Sequence, residues 1–83
     1  MVLTTGAQLR AARALVRMEQ AQLAETAGVS VETVRRLERI DGRFNATLNT
    51  VRDLTRALEA AGVEFNPDGS VRLREQPAEA QPS

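Results

Sequence analysis

Two short helical patterns meet at a single glycine in the segment LAETAGVSVETVRRLE. Gly28 ends the first pattern, because glycine adopts the left-handed conformation of a helix C-cap at little steric cost. Ser30 has a side chain suited to cap the next helix, where Val34 and Leu37 follow at helical spacing. Ala24 precedes the glycine by one helical turn, and we expect Ala24 and Gly28 to lie where the two helices approach most closely. The segment therefore predicts two helices packed across a tight corner.

Helical patterns also lie on both sides of this corner. Thr5 begins a capping-box spacing and predicts the start of a first helix. The first helix of the corner is expected to run from about Glu19 or Gln20 to Ala27. Thr47 is expected to cap a fourth helix, which Gly62 ends. The apolar stripe predicted for that helix consists of Leu48, Val51, Leu54, Leu58 and Ala61.

The segment VEFNPDGSVRLR changes to a period of two and predicts a β-hairpin. Pro67 suits the second position of a type I turn, and Gly69 suits the left-handed position after it. Glu64 and Arg72 are expected to pair on one face. The opposite face would carry four apolar residues, Val63, Phe65, Val71 and Leu73. These either fold back on the core or join two copies of the chain, and the second alternative makes them candidate dimerisation residues.

These patterns divide the chain into helical residues 1–62, a hairpin at 63–74 and a tail at 75–83. The tail, EQPAEAQPS, lacks apolar anchors and is expected to be disordered.

The composition argues against several classes of protein. The chain has no Cys and no His, so it lacks the commonest metal ligands and the commonest general base. We therefore expect no enzyme activity, no catalytic residue, no metal and no cofactor. No apolar run can span a bilayer and no signal peptide is visible, which predicts a cytoplasmic protein without a membrane partner.

Charge is unevenly distributed, although the net charge is zero. Residues 10–43 contain seven Arg against five acidic residues, a net charge of +2, while residues 59–83 contain two Arg against five acidic residues, a net charge of −3. This asymmetry permits nucleic-acid binding without establishing it.

Residues 20–39 resemble the helix-turn-helix of Xre/Cro/phage-repressor proteins. The pieces QLRAARALVRMEQAQLAETAGVS, TVRRLER and TLNTVRDLTRALEAAGVEF carry the resemblance, which extends from about residue 5 to residue 62. Four residues fall on the most characteristic positions of the motif, Ala24, Gly28, Val34 and Leu37. The resemblance implies a mostly α, four-helix, lambda-repressor-like domain, here followed by the hairpin. The chain departs from the family at Val16-Arg17-Met18, where relatives often have an aromatic residue, and in its longer loop RIDGRFNATLN.

The resemblance also implies roles for individual residues. Helix 30–38 would enter the major groove of DNA. The residues expected to read base edges are Val31, Glu32, Thr33 and Arg36. Those expected to bind phosphates are Gln20, Ser30, Arg35, Arg39 and Arg43. Arg13 and Glu38 would form a structural ion pair.

Simpler roles remain open for three of these residues. Glu32 could form an intrahelical pair with Arg36 at i+4. Gln20 could be no more than a residue at a helix start. Arg35 points about 100° away from Arg36 and could be solvated.

Two functions follow from this interpretation. The first is a sequence-specific DNA-binding transcriptional regulator, a homodimeric repressor that binds a palindromic operator. The second is an antitoxin or another protein-binding module of a toxin–antitoxin pair. No small-molecule ligand is evident from the sequence.

Overall fold

The computed structural model describes residues 3–40 and 42–74. It contains four helices followed by a two-stranded antiparallel hairpin, which confirms the predicted mostly α fold. The elements are α1 (Gly6–Leu15), α2 (Gln20–Ala27), α3 (Val31–Arg39), α4 (Leu48–Ala61), β1 (Val63–Phe65) and β2 (Val71–Leu73). The predicted disordered tail, residues 75–83, lies outside the described residues.

Side-chain caps start three of the helices, as their sequences predict. Thr5 begins α1 with a complete capping box. Ser30 Oγ accepts a hydrogen bond from the Thr33 amide at 3.1 Å, and Thr47 Oγ1 accepts one from the Thr50 amide at 3.2 Å. Each of these bonds satisfies an amide that the helix itself leaves without a partner, so each fixes where its helix begins.

The corner between α2 and α3 depends on the backbone conformation of one glycine. Gly28 has φ +76, and the amides of Gly28 and Val29 bond back to the last turn of α2. A Cβ built on Gly28 would meet no atom within 4 Å, so the expectation that Gly28 lies at the closest approach of the helices is wrong. Its left-handed φ is what favours glycine there. Ala24, by contrast, is buried in the core as expected.

A different glycine lies at a close approach between helices. A Cβ on Gly6, the first residue of α1, would clash with the carbonyl oxygen of Leu37 and lie 3.1 Å from Cα of Glu38. Only a residue without a side chain lets α1 pack this closely on the backbone of α3.

The core lies among all four helices and the first strand. Its fully buried large side chains are Leu3, Leu9, Leu23, Val34, Leu37, Leu54, Leu58 and Val63. The stripe predicted for α4 is wrong at its two ends, because Leu48 is 58% exposed and Ala61 is exposed, while Ala57 is buried instead. Leu3 reaches the core because the segment before α1 is tied to the loop before α4, where the Phe44 amide donates to the Thr4 carbonyl at 2.8 Å.

The hairpin has the predicted register. Val63 pairs with Leu73 and Phe65 pairs with Val71, while Glu64 and Arg72 form an ion pair with a 3.1 Å separation. At the turn, Gly69 has φ +93 and its amide donates to the carbonyl of Asn66 at 2.9 Å, as expected for a type I turn followed by a left-handed residue.

The apolar face of the hairpin packs against its own helices. β1 contacts α4 and β2 contacts α1. Val63 is fully buried, and Phe65 and Val71 pack against the core, whereas Leu73 is 52% exposed. The prediction that Val63 is a dimerisation residue is therefore wrong, because its side chain is fully buried and a second copy of the chain cannot reach it in this fold.

One glutamine connects the start of α1 to the hairpin turn. Gln8 Oε1 accepts hydrogen bonds from the amides of Thr4 and Thr5 at 2.7 and 2.9 Å. Gln8 Nε2 donates to the carbonyl of Gly69 at 2.7 Å. The same side chain therefore completes a helix cap and holds the hairpin against α1.

Candidate nucleic-acid interface

Helix α3 presents a polar and mostly basic face to solvent. Val34, Leu37 and Glu38 are buried on its inner side. Its exposed residues are Glu32, Arg35, Arg36 and Arg39. Because adjacent helical residues point about 100° apart, these four occupy one face. A helix with an apolar inner side and an arginine-rich outer side can lie against a polyanion.

The first turn of α3 is partly occupied by internal contacts. Ser30 Oγ and Thr33 Oγ1 lie 2.9 Å apart and share a hydrogen bond. Val31 is half-buried against the core, and Thr33 is half-buried as well. Of the four residues predicted to read bases, only Glu32 and Arg36 are exposed.

The intrahelical partner of Glu32 is Arg35, not Arg36. Glu32 Oε2 lies 3.6 Å from Arg35 Nη1, and both side chains are largely exposed. The alternative of an intrahelical pair between Glu32 and Arg36 is therefore wrong, because Glu32 contacts the guanidinium of Arg35 instead. An exposed pair at this separation stabilises the helix by less than about 1 kcal/mol, so it does not prevent either side chain from taking another partner.

Glu38 joins three helices from the buried side of α3. Its carboxylate accepts hydrogen bonds from Arg13 Nε at 2.8 Å, Arg13 Nη2 at 3.0 Å and Gln20 Nε2 at 2.9 Å. Arg13 also donates to the Met18 carbonyl at 2.8 Å, which ties the α1–α2 connection to the same group. The hydrogen bonds with Glu38 raise the pKa of Arg13 above its ordinary value, so this guanidinium stays charged. The expected Arg13–Glu38 pair is thus present, and it sets the position of α3 relative to α1 and α2.

The predicted phosphate-binding residues lie in three different environments. Ser30, Arg35 and Arg39 are exposed near or on α3. The side-chain amide of Gln20 donates a hydrogen bond to Glu38. The position of Gln20 at the start of a helix does not predict this contact. Arg43 lies apart from these, beside Phe44 and Leu48 at a shallow groove of about 240 Å³ next to α4.

A basic cleft opens between α1, α2 and α3. It has a volume of about 650 Å³ and is lined by Arg10, Gln20, Arg35, Glu38 and Arg39. Arg10 Nη1 donates to the backbone carbonyl of Glu38, which holds Arg10 against α3. Sequence reasoning missed Arg10; its spacing of one turn before Arg13 on α1 is the only signal that could have found it.

The described part of the chain shows neither a cluster of metal ligands nor a membrane-spanning helix. Within residues 3–40 and 42–74, acidic side chains form no group of three that could hold a metal ion. None of the helices described has the length and apolarity that crossing a bilayer requires.

A comparison with models of protein families assigns the chain to a family. A family model described as a helix-turn-helix domain matches residues 5–67, which include all four helices and β1. None of the curated proteins matches the chain.

Proposed function

Because the chain belongs to the helix-turn-helix domain family, we propose that it is a sequence-specific transcriptional regulator that inserts α3 into the major groove of double-stranded DNA. The observation that carries this proposal is the exposed arginine-bearing face of α3, held rigidly from behind by the buried carboxylate of Glu38. A helix fixed on its inner side can hold its outer side chains in register with base edges, which sequence reading requires.

Arg36 is the main residue proposed to read a base. It is exposed, lies one turn after Thr33 and is not among the residues that line the basic cleft. A guanidinium can donate two parallel hydrogen bonds to O6 and N7 of guanine, the commonest specific contact in the major groove. Glu32 supports this role by accepting from cytosine N4, while Val31 and Thr33 supply the remaining contacts of the first turn.

We further propose that the regulator is a homodimeric repressor of a palindromic operator. One α3 offers few base contacts, and two copies related by a two-fold axis double them on half-sites one DNA turn apart. Leu73 supports a hairpin interface, because it is the one apolar residue of that face left largely exposed, beside the outer edge of β2. Covering the operator would then exclude other proteins from it.

Selection of binding sites from random duplex DNA tests this function. We expect enrichment of one palindromic sequence whose half-site centres are about 10 base pairs apart. Failure to enrich any sequence, with equal affinity for all duplexes, would contradict sequence-specific regulation. A consensus without two-fold symmetry would contradict the dimer only.

The interface is tested separately by sedimentation at micromolar concentration. We expect the chain to sediment above its 9.0 kDa monomer mass and Leu73→Ser to shift it to the monomer. Leu48→Ser is the matched control, because Leu48 is a leucine on α4 of similar exposure, 58% against 52% for Leu73. A parent chain that remains a monomer with palindromic DNA, or an equal effect of both substitutions, would rule out the hairpin interface.

A further inference from the structure

The shallow groove next to α4 is an apolar surface that takes no part in the proposed insertion of α3 into DNA. It is lined by Leu3, Thr4, Arg43, Phe44, Ala46, Leu48 and Val51. We propose that this groove is the docking site of the chain's own acidic tail, residues 75–83, and that the docked tail competes with DNA for Arg43. The competition rests on the proposed function, whereas the docking stands without it.

The groove combines apolar side chains with a positive charge. Phe44 packs against the core at the groove, and Leu48 is 58% exposed beside it. Leu48 and Leu73 are the large apolar side chains that the described part of the chain leaves exposed. Arg43 is exposed at the same groove. Covering the groove with small apolar side chains removes apolar surface from water, and an acidic group beside them pairs with Arg43.

Two arginines at this end of α4 have no acidic partner within residues 3–40 and 42–74. The arginines that form ion pairs there are Arg13, Arg35 and Arg72. Arg43 and Arg52 form none among these residues, and both are exposed. Arg52 follows Leu48 by four residues, so the two side chains lie on the same side of α4. An acidic segment in the groove therefore has two guanidiniums in its vicinity.

The tail follows the hairpin at the opposite end of α4. The Arg74 amide donates to the Gly62 carbonyl, and Arg74 Nη2 donates to the Glu59 carbonyl at 3.3 Å, so the chain leaves the hairpin beside the last turn of α4. The fourteen residues of α4 span about 21 Å. Nine residues follow Arg74, and in extended form they span about 30 Å. The tail is thus long enough to run back along α4 and reach the groove.

The composition of the tail is complementary to the groove. Its two charged residues are Glu75 and Glu79, and its small apolar side chains are Pro77, Ala78, Ala80 and Pro82. The tail lacks large apolar residues and cannot fold by itself, so order in it must come from a surface outside it. Its two prolines restrict the backbone and lower the entropy lost on docking.

Covalent attachment favours the chain's own tail over a separate partner. A segment joined by a few residues has an effective concentration of about millimolar at a site within its reach. Weak contacts are then sufficient for docking, such as exposed ion pairs and small side chains in a groove of about 240 Å³. A separate protein would need an interface of about 1,000 Å² for a stable complex.

NMR spectra of full-length variants test the docking without DNA. We expect the combined substitution Glu75→Gln and Glu79→Gln to shift the signals of Phe44 and Leu48, because it removes the charges that hold the tail at the groove. The matched control, Gln76→Asn with Gln81→Asn, keeps both charges and should leave these signals in place. Neither variant changes a residue of the helices or the hairpin. The shifts should vanish at about 1 M salt, where the Debye length is about 3 Å.

Two results would overturn the docking. Unchanged groove signals in the neutral-tail variant, Glu75→Gln with Glu79→Gln, would leave the groove to a separate partner. Differences that grow with protein concentration would assign it to the tail of a second copy.

DNA affinity at low salt measures the competition for Arg43. We expect the neutral-tail variant to bind duplex DNA up to about fivefold more tightly than the parent chain, the range of one exposed ion pair. In a chain that also carries Arg43→Gln, this gain should be lost. In a chain that carries Arg17→Gln instead, the gain should persist, because Arg17 is an exposed arginine outside the groove lining.

The outcomes separate the competition from the proposed function. Equal gains with Arg43→Gln and Arg17→Gln would mean that the tail repels DNA at long range, and would overturn competition at the groove. Shifted groove signals with an unchanged DNA affinity would overturn it as well. Absence of duplex binding by the parent chain and the neutral-tail variant would instead overturn the proposed function, while the NMR comparison still decides the docking.

Discussion

Replacing Glu38 with alanine should release α3 from the two helices behind it. Glu38 is 4% exposed and accepts three hydrogen bonds, two from Arg13 and one from Gln20. Removing one partner of a buried ion pair costs about 3–5 kcal/mol, because the other charge is left without compensation. Arg13 is 19% exposed and can turn partly to water, so we expect the lower end of that range. A loss of about 3 kcal/mol lowers the melting temperature of a domain this small by about 12–24 °C.

Urea denaturation of Glu38→Ala, Arg13→Ala and the double variant measures this contribution. The two single substitutions should not be additive, with a coupling energy of about 2–3 kcal/mol. Glu64→Ala is the matched control, since Glu64 and Arg72 form the same kind of ion pair at 3.1 Å with side chains 38% and 60% exposed. That control should cost less than about 1 kcal/mol. Equal costs for Glu38→Ala and Glu64→Ala, or additive effects at Glu38 and Arg13, would refute the reasoning.

Three further predictions concern single positions. Gly6→Ala should lower the free energy of unfolding by about 3 kcal/mol, because the added Cβ meets the backbone of α3. Gly28→Ala should lower it by only about 1–2 kcal/mol, because only the left-handed φ is unfavourable there. Chemical denaturation of both variants measures the two losses, and a larger loss for Gly28→Ala would contradict this reasoning. Arg36→Ala should weaken operator binding by about 1–3 kcal/mol and relax one base position, and an equal loss on random duplex would mean that it contacts only phosphate. The pKa of Asp68 lies below its ordinary value of 3.8 because the hydroxyl and amide of Ser70 donate to the carboxylate. The stability that Asp68 contributes is therefore present at pH values above its ordinary pKa and is lost as the pH falls through the lowered pKa of the folded state. Asp68→Asn should make the stability of the chain less dependent on pH in the acid range. An unchanged acid dependence would exclude this contribution.

Local sequence rules predicted most of the fold. The caps at Thr5 and Ser30 and the hairpin register involve residues at most ten apart, which short patterns encode. The burial of Leu3 and the close approach at Gly6 depend on parts of the chain more than thirty residues away, and no local spacing indicates them. Helical periodicity predicts Leu48 in the core, but it does not indicate where the neighbouring helices end, and Leu48 is exposed.

The candidate site was less predictable for a similar reason. The Arg13–Glu38 pair could be predicted only from the family resemblance, because twenty-five residues separate the partners and local spacing does not connect them. The inward turn of Gln20 could not be deduced without the position of Glu38. The sequence does not decide the partner of Glu32, because residues at i+3 and i+4 are both within reach on a helix and side-chain rotamers select Arg35.

The bond from Gln8 to the hairpin turn has a consequence for the order of folding. Its ends are 61 residues apart, so closing this loop costs about 3–4 kcal/mol of chain entropy. The contacts between α2 and α3 need far shorter loops and should form earlier on the pathway. Gln8→Glu keeps the oxygen that accepts from the Thr4 and Thr5 amides and loses the amide that donates to Gly69. This variant should then unfold faster, with a nearly unchanged folding rate in a stopped-flow chevron. A slowed folding limb would instead place the docking of the hairpin within the folding nucleus.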